Sequence, residues 1–175
     1  MLEFHKFGAS QDNYNMKKNL LLLIFGLFSM LGYSQYDGKN ELKVNFMYLL
    51  LGLPEISYER TLKPNTSIGI SAAFSSEKNN ELEIRWAITP YYRRYFWEGK
   101  DGVFFIEGNT ILTNQRITEY YGDLGYTTDF GFGVALGGKM WHRNGYFVEP
   151  YLGAGVLLIG GEIYPRFGLS LGKRF

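Results

Sequence analysis

The chain contains no cysteine and only two histidines among its 175 residues. It therefore offers no disulfide framework, and the thiolate and imidazole sets that usually bind transition metals are missing. A general base for catalysis near neutral pH is equally scarce. His5 lies ahead of the signal sequence described below, and His142 stands in a predicted turn beside Arg143 and Asn144. We predict no catalytic residue, no metal site and no cofactor.

An excess of charge of either sign is also lacking. Lysine and arginine number 18 and aspartate and glutamate number 17, which gives a formal net charge of +1. Proteins that bind nucleic acids present a surplus of basic residues to the phosphate backbone, and this chain has no such surplus. We therefore expect no nucleic-acid partner.

The only long hydrophobic run covers residues 20–31 and is shorter than the roughly 20 residues that a membrane-spanning helix needs. It follows Lys17 and Lys18 and precedes a short exit rich in small residues that ends at Ser34. This order is typical of a secretory signal with cleavage near Ser34. A buried core helix is the alternative interpretation.

The signal sequence divides the chain. We assign residues 16–34 to the signal peptide, residues 1–15 to an extension ahead of the genuine start at Met16, and residues 35–175 to the mature domain. Removal of the first two segments leaves equal numbers of basic and acidic residues. The mature chain is therefore formally neutral.

In place of the missing features, the chain is rich in aromatic residues and glycine. Aromatic residues make up 18% of the sequence, glycines number 22, and the mean hydropathy is -0.15. Apolar and polar residues must therefore be interleaved, a pattern typical of half-buried β-strands.

From Asn40 onward the pattern resolves into eight segments of period two, with no helix among them. The segments are NELKVNFMYLL, EISYERTL, SIGISAAFS, ELEIRWAITPYYRRYF, VFFIEGNTIL, DFGFGVALGGKMW, YFVEPYLGAGVLL and EIYPRFGLSLGKRF. Short turns at residues 63–66, 97–102 and 142–145 are predicted at one end of the strands. The longest irregular stretch, residues 113–127, is predicted at the other end.

Eight amphipathic strands joined by short turns in an exported chain predict an all-β fold, an eight-stranded antiparallel up-and-down transmembrane β-barrel. Unpaired backbone groups cannot be left in hydrocarbon, so the sheet must close on itself. The closing strand places Phe167, Leu169 and Leu171 on its apolar face, with Phe175 at the membrane boundary. A soluble lipocalin-like carrier of the periplasm is the alternative, and it would need the apolar faces to point inward.

Aromatic residues cluster where the strands meet the predicted short turns. Such a girdle at the membrane–water interface is typical of transmembrane barrels, whereas in a soluble barrel the same rings would belong to the core. The predicted girdle consists of Tyr92, Phe96, Trp97, Phe104, Trp141 and Tyr146, together with Phe175.

The polar faces of the strands carry charges of both signs. The basic members are Lys43, Arg85, Arg93, Lys139, Arg166 and Arg174, and the acidic members are Glu55, Glu59, Glu83, Glu107, Asp129 and Glu149. Because the interior of an eight-stranded barrel is only wide enough to be filled by side chains, we predict that these residues pair as a plug. A selective ion path is the alternative.

Several stretches resemble a known group of proteins. They are ELKVNFMYLLLGLPEISYER, ITPYYRRYF, FFIEGN, DFGFGVALGGK and YPRFGLSLGKRF. These segments are similar to those of an uncharacterised family of small outer-membrane β-barrel proteins from Gram-negative bacteria, and the likeness extends over nearly all of the mature chain. It implies the same fold and an outer-membrane location, and it supplies no catalytic motif. The closing strand also resembles the signal read by the barrel-assembly machinery, except at Lys173, where an apolar residue is usual.

These features together predict an integral outer-membrane protein with a structural or surface-interaction role. We expect a monomer that contacts outer-membrane lipid and meets the barrel-assembly machinery during biogenesis. No motif indicates a ligand for the exposed loops, so the surface ligand is unknown. A narrow pore and a lipid-modifying enzyme are the remaining alternatives.

Overall fold

The computed structural model describes residues 38–75, 84–98, 102–118 and 124–175. The predicted extension and signal peptide lie outside these ranges. The described residues fall within one of the chain's two units, Tyr36–Phe175. The strands are β1 (Asn40–Asn45), β2 (Glu55–Lys63), β3 (Thr66–Phe74), β4 (Ile84–Glu98), β5 (Gly102–Thr118), β6 (Leu124–Trp141), β7 (Tyr146–Leu157) and β8 (Ile163–Arg174), and a helix, α1 (Phe46–Leu50), follows β1.

Each strand pairs antiparallel with the next, and β8 pairs with β1, so that the eight strands form a closed barrel. The closing seam extends to Asn40 and Phe175, which exchange backbone hydrogen bonds of 3.1 and 2.8 Å. The predicted eight-stranded antiparallel up-and-down barrel is confirmed. Closure satisfies the backbone groups that an open sheet would leave unpaired at its edges.

The two ends of the barrel differ. One, here called the turn end, carries the connections β2–β3, β4–β5 and β6–β7, at the positions that the sequence predicts. The β6–β7 connection is tight because Asn144 and Gly145 adopt φ angles of 65° and 80°, a conformation that glycine and asparagine tolerate best. The other end, here called the loop end, carries α1 and the remaining connections.

The side-chain alternation points apolar residues outward. On β6, Val134 and Leu136 are 62% and 59% exposed on the outer face, whereas Ala135 between them is 2% exposed. On β7, Leu152 is 72% exposed, whereas Glu149 is fully buried inside the barrel. This orientation is the opposite of the one that a lipocalin-like carrier would need, because such a carrier buries its apolar faces.

The first strand is shorter than predicted. Residues 40–50 were expected to form one strand, but β1 ends at Asn45 and residues Phe46–Leu50 form a helical turn. The cause is local, because the Asn45 side chain accepts hydrogen bonds from the backbone N–H groups of Met47 and Tyr48 and thereby caps the helix. No helix in the described ranges is long and apolar enough to cross a membrane.

The prediction of a long irregular stretch is wrong at residues 113–118 and 124–127, which are strand, and residues 119–123 of that stretch lie outside the described residues. Strands β5 and β6 stay in register out to the pair Thr118 and Leu124, far beyond the last β7 partner of β6 at Gly131. Polar residues occupy consecutive positions in this part of the hairpin, as in Thr113 to Arg116 and Thr127 to Asp129, so its sequence lacks the regular alternation that reveals a strand. Backbone pairing with the neighbouring strand supports it instead.

Candidate functional site

The lumen near the turn end is filled with charged side chains, each at most 3% exposed. We call this set the charged cluster. Its carboxylates are Glu41, Glu55, Glu59, Glu107 and Glu149, and its cations are Lys43, Arg93, Lys139 and Arg166. All of them occupy inward positions of their strands, so the alternation of side chains places them all in the lumen.

Arg93 lies at the centre of the charged cluster. Its guanidinium contacts Glu107 at 2.7 Å, Glu149 at 2.7 Å and Glu59 at 2.9 Å. Beneath these ion pairs, the guanidinium stands 4.1 Å from the centroid of the Phe105 ring and 4.6 Å from that of Tyr91. Arginine suits this position because its planar fork can pair with several carboxylates while it stacks on an aromatic face.

Glu41, Glu59 and Glu149 converge closely enough to resemble a metal site. The Lys139 ammonium occupies their midst, at 2.6 Å from Glu41, 3.4 Å from Glu59 and 3.3 Å from Glu149. Lys43 adds a second ammonium, at 2.5 Å from Glu59 and 3.0 Å from Glu149. The positive charge that three carboxylates require is therefore supplied by the chain itself.

Arg166 extends the charged cluster toward the loop end. It bridges Glu107 at 3.1 Å and Glu55 at 2.9 Å. Glu55 also accepts hydrogen bonds from Tyr151 at 3.1 Å and from Asn45 at 3.3 Å. The residue that caps α1 is therefore also part of the polar network inside the barrel.

Tyrosine hydroxyls satisfy further carboxylate oxygens. Glu59 accepts hydrogen bonds from Tyr91 at 3.2 Å, from Tyr95 and from Ser67 at 2.6 Å. Room for the Tyr91 ring comes from Gly69, since a Cβ there would approach the ring to 2.3 Å. A buried carboxylate must be paired and hydrogen-bonded to be tolerated, and Glu59 meets both conditions.

Arg174 closes the network at the turn end. It contacts Glu41 at 2.7 Å and lies 4.0 Å from the Trp141 ring, and its own side chain is 28% exposed. With Arg174 included, five cations face the five carboxylates of the charged cluster. Glu41 was missed in the sequence prediction, although it shares the inward parity of Lys43 and could have been found from it.

Two residues of the predicted charge plug, Arg85 and Asp129, lie outside the charged cluster. A third, Glu83, lies outside the described residues. The prediction for Arg85 is wrong because a β-bulge between Ile84 and Trp86 shifts the register, and Arg85 instead lies exposed, 5.3 Å from the Tyr126 ring.

Asp129 is buried but belongs to no ion pair among the described residues. Its carboxylate instead accepts backbone hydrogen bonds from Phe130, Ile159 and Gly160, at 2.7, 3.0 and 2.9 Å, and so holds the β7–β8 loop at the loop end. Burial acts to raise the pKa of this carboxyl, but the backbone hydrogen bonds outweigh it and hold the pKa below its usual range.

The predicted aromatic girdle divides into two groups. Tyr92, Phe96, Phe104 and Tyr146 point outward near the turn end and are 39–55% exposed, whereas the side chain of Trp97 lies outside the described residues. The prediction for Trp141 is wrong. It shares the inward parity of Lys139 and packs on Phe147 at 5.0 Å.

A second group of outward aromatic residues at the loop end was not predicted from the sequence. Its members are Phe74, Tyr126, Phe130 and Phe132, each at least 44% exposed. The signal was present in the sequence, because these residues occupy outward parities at the far ends of their strands. Outward aromatic residues therefore occur at both ends of the barrel.

The lumen near the loop end is apolar, in contrast to the charged cluster. We call its residues the apolar cluster, and they are Tyr48, Leu53, Ala73, Ala87, Ile111, Leu157 and Tyr164. A cavity of about 30 Å³ remains among them, with Glu55 and Arg166 in its lining. It is roughly large enough for one or two water molecules.

Helix α1 replaces the outer part of β1 at the seam with β8. The last β1–β8 pair is Asn45 with Ser170, so Ile163 to Leu169 have no partner in β1. Two side chains replace part of the missing backbone pairing with β1. The Tyr48 hydroxyl donates to the carbonyl of Pro165 and the Asn45 amide donates to that of Phe167, both at 3.2 Å.

The residues predicted as the assembly signal lie on β8 or directly after it. Leu169 faces outward and is 41% exposed, whereas Phe167 and Leu171 are half-buried. Phe167 meets the Tyr48 ring edge to face at 5.2 Å. Phe175 is half-buried at the turn end and pairs with Asn40.

A family model for proteins of unknown function, DUF3575, matches residues 13–168. The chain belongs to this family. No curated protein matches it.

Among solved structures, the N-terminal β-barrel domain of Pseudomonas aeruginosa OprF is similar, with a TM-score of 0.61 and 15% identity over 78% of this chain and 96% of that chain. The Yersinia pestis outer membrane protein Ail aligns over 79% of this chain and 100% of that chain, with 10% identity and a TM-score of 0.45. The likeness to the OprF domain supports the barrel fold of this DUF3575 protein.

Proposed function

We propose that this DUF3575 protein is an integral protein of the Gram-negative outer membrane, with a structural or surface-interaction role and no catalytic activity. Three observations support the proposal. The outward faces are apolar, aromatic residues stand at both ends, and the fold is similar to the barrel domain of OprF. His142 lies exposed in the β6–β7 turn, away from the buried carboxylates, where a general base would have no pocket.

The charged cluster supports the proposal that the lumen conducts no ions. An aqueous pore leaves its wall charges hydrated, but here the carboxylates and cations contact one another and are at most 3% exposed. Moving an ion through them would require breaking several buried ion pairs at once, which is costly. The protein therefore acts through its outer surfaces, with the lumen serving as a filled core.

The same proposal specifies the partners. Outer-membrane lipid surrounds the apolar wall of a monomer, and the barrel-assembly machinery inserts the chain after cleavage of the signal peptide. We expect the machinery to recognise β8 by its apolar outward face. Among the residues that the structure describes, no feature of the loop end selects a particular surface ligand.

Cell fractionation tests the location. We expect the protein in the outer-membrane pellet, with a band on unboiled gels that shifts on heating, because folded barrels resist detergent. Recovery of the folded protein from the soluble periplasmic extract would contradict the membrane proposal.

Planar-bilayer recording tests the closed lumen against the narrow pore. We expect the purified barrel to give no resolved conductance steps. A reproducible single-channel current that changes in Arg93→Gln, and does not change in the exposed-loop variant Glu162→Gln, would establish the pore instead.

A further inference from the structure

The inner and outer faces of the barrel wall differ in charge, because the inner face carries both signs. All five carboxylates of the charged cluster point inward. Among the described strand side chains, the exposed ones that carry charge are cations, namely Arg60, Lys63, Arg85 and Arg94. Exposed charges of one sign on these strands favour a negatively charged neighbour.

Two of these cations, Arg60 and Arg94, lie close together near the turn end. Strand β3 runs between them, with Ile68 registered opposite Arg60 and Thr66 opposite Arg94. Two strand spacings of about 4.8 Å separate the arginines across the sheet, and two residues of about 3.4 Å separate them along it. Extended arginine side chains can therefore converge on one group that lies over β3.

Neither arginine has a carboxylate partner in the part of the chain that the structure describes. Both side chains are exposed, and none of the ion pairs there includes Arg60 or Arg94. By contrast, Lys173 stands over the Tyr146 ring at 5.1 Å. Within the described ranges, Arg60 and Arg94 are thus two outward guanidinium groups without a carboxylate in contact.

An apolar strip leads from the two arginines toward the middle of the wall. On β3, Ile68 and Ile70 are 45% and 46% exposed. Tyr58 of β2 is registered with Ile70, and Tyr92 of β4 is registered with Ile68, so a tyrosine ring stands on each side of the strip. The arrangement therefore combines two cations, which suit a negatively charged group, with an exposed apolar strip, which suits a hydrocarbon chain.

We propose that Arg60 and Arg94 bind the phosphate of an anionic glycerophospholipid, with one acyl chain lying along Ile68 and Ile70. Guanidinium groups form charge-assisted, bidentate hydrogen bonds with phosphate oxygens. A lipid whose head group carries no ammonium keeps its full negative charge, so the two arginines favour it over a zwitterionic lipid. The proposal rests on the membrane location proposed above.

The test uses the folded full chain in bilayers of phosphatidylethanolamine with phosphatidylglycerol. Electron spin resonance of spin-labelled lipids gives the relative association constants of the two lipids with the barrel. We expect a preference for phosphatidylglycerol that falls about fivefold for each of Arg60→Gln and Arg94→Gln, since each basic residue near a membrane surface contributes a comparable attraction to anionic lipid.

Arg85→Gln is the matched control, because it removes one exposed arginine charge from β4 near the loop end, away from the apolar strip. It should keep the preference, and an equal loss in this control would overturn the specific site in favour of diffuse charge. An unchanged preference in both arginine variants would overturn it as well. Each arginine variant is assayed singly, so that if one fails to fold, the other still tests the lipid site. A wild-type chain that does not enter the bilayer contradicts the membrane proposal and not the lipid site alone.

Discussion

The two halves of the lumen are filled in different ways although the same barrel wall surrounds them. Near the turn end, the charged cluster fills the space with ion pairs and hydrogen bonds, and each of its carboxylates contacts two or more donors. Near the loop end, the apolar cluster fills the space by packing and leaves a cavity of about 30 Å³. The wall differs too, since all eight strands meet at the turn end whereas α1 replaces β1 at the loop end.

This difference determines how each half responds to a substitution. A buried ion pair is interdependent, because removing one member leaves the others buried without a partner. An apolar cluster loses only the burial and contacts of the atoms removed, and neighbouring side chains relax in part. We therefore expect the charged half to be the more sensitive to a single change.

Glu59→Ala should have the largest effect. It leaves Lys43, Arg93 and Lys139 with a missing partner in a buried site, which is expected to cost about 3 to 5 kcal/mol of unfolding free energy. Denaturant titration of the barrel in lipid vesicles measures the loss. The exposed Glu162→Ala serves as control and should change stability by less than about 1 kcal/mol. Equal effects of the two changes would mean that the charged half is not held by its ion pairs.

Leu53→Ala should have the next largest effect. Leu53 is fully buried in the apolar cluster, and its truncation enlarges the existing cavity at a cost of about 3 kcal/mol. The same titration measures it. A loss as large as that of Glu59→Ala would contradict the expected difference between the two halves of the lumen.

Tyr48→Phe should have a smaller effect, confined to the seam. It removes the hydroxyl that donates to Pro165 but keeps the ring against Phe167, so a loss of about 1 kcal/mol is expected. Amide hydrogen exchange should rise in β8 between residues 163 and 169 and stay unchanged where β8 pairs with β1. A uniform change along β8 would show that α1 does not close the seam locally.

Asp129→Asn should have the smallest effect. It weakens the backbone hydrogen bonds that hold Ile159 and Gly160, so exchange should rise in the β7–β8 loop with little change in overall stability. Because the pKa of this carboxyl is lowered in the folded protein, its contribution is present above the unfolded-state pKa and is lost as the pH falls through the folded-state pKa. Loop protection should therefore be independent of pH in the Asn variant, and a parallel acid loss in both proteins would contradict this role.

Strand periodicity determined much of the barrel and of its interior. Glu107, Lys139 and Glu149 could be assigned inward from their neighbours, because side chains alternate strictly and the outward positions beside them are apolar. The same rule, applied consistently, would have placed Trp141 inward beside Lys139. Position along a strand does not by itself place an aromatic residue at the membrane interface, because parity decides whether its side chain points outward.

By itself, then, the sequence determined the closed eight-stranded barrel, the positions of its short turns, and which face of each strand is apolar and which is polar. These features depend on local period and turn residues. Only the tertiary structure decided which charges meet, that Lys139 stands among three carboxylates, and that Arg85 leaves the lumen at a bulge. It also decided that the chain after Asn45 coils into α1, where Tyr48 can complete both the seam and the apolar cluster. The physical reason is that pairing across the lumen joins residues as far apart in the chain as Lys43 and Glu149, and no local pattern encodes that distance.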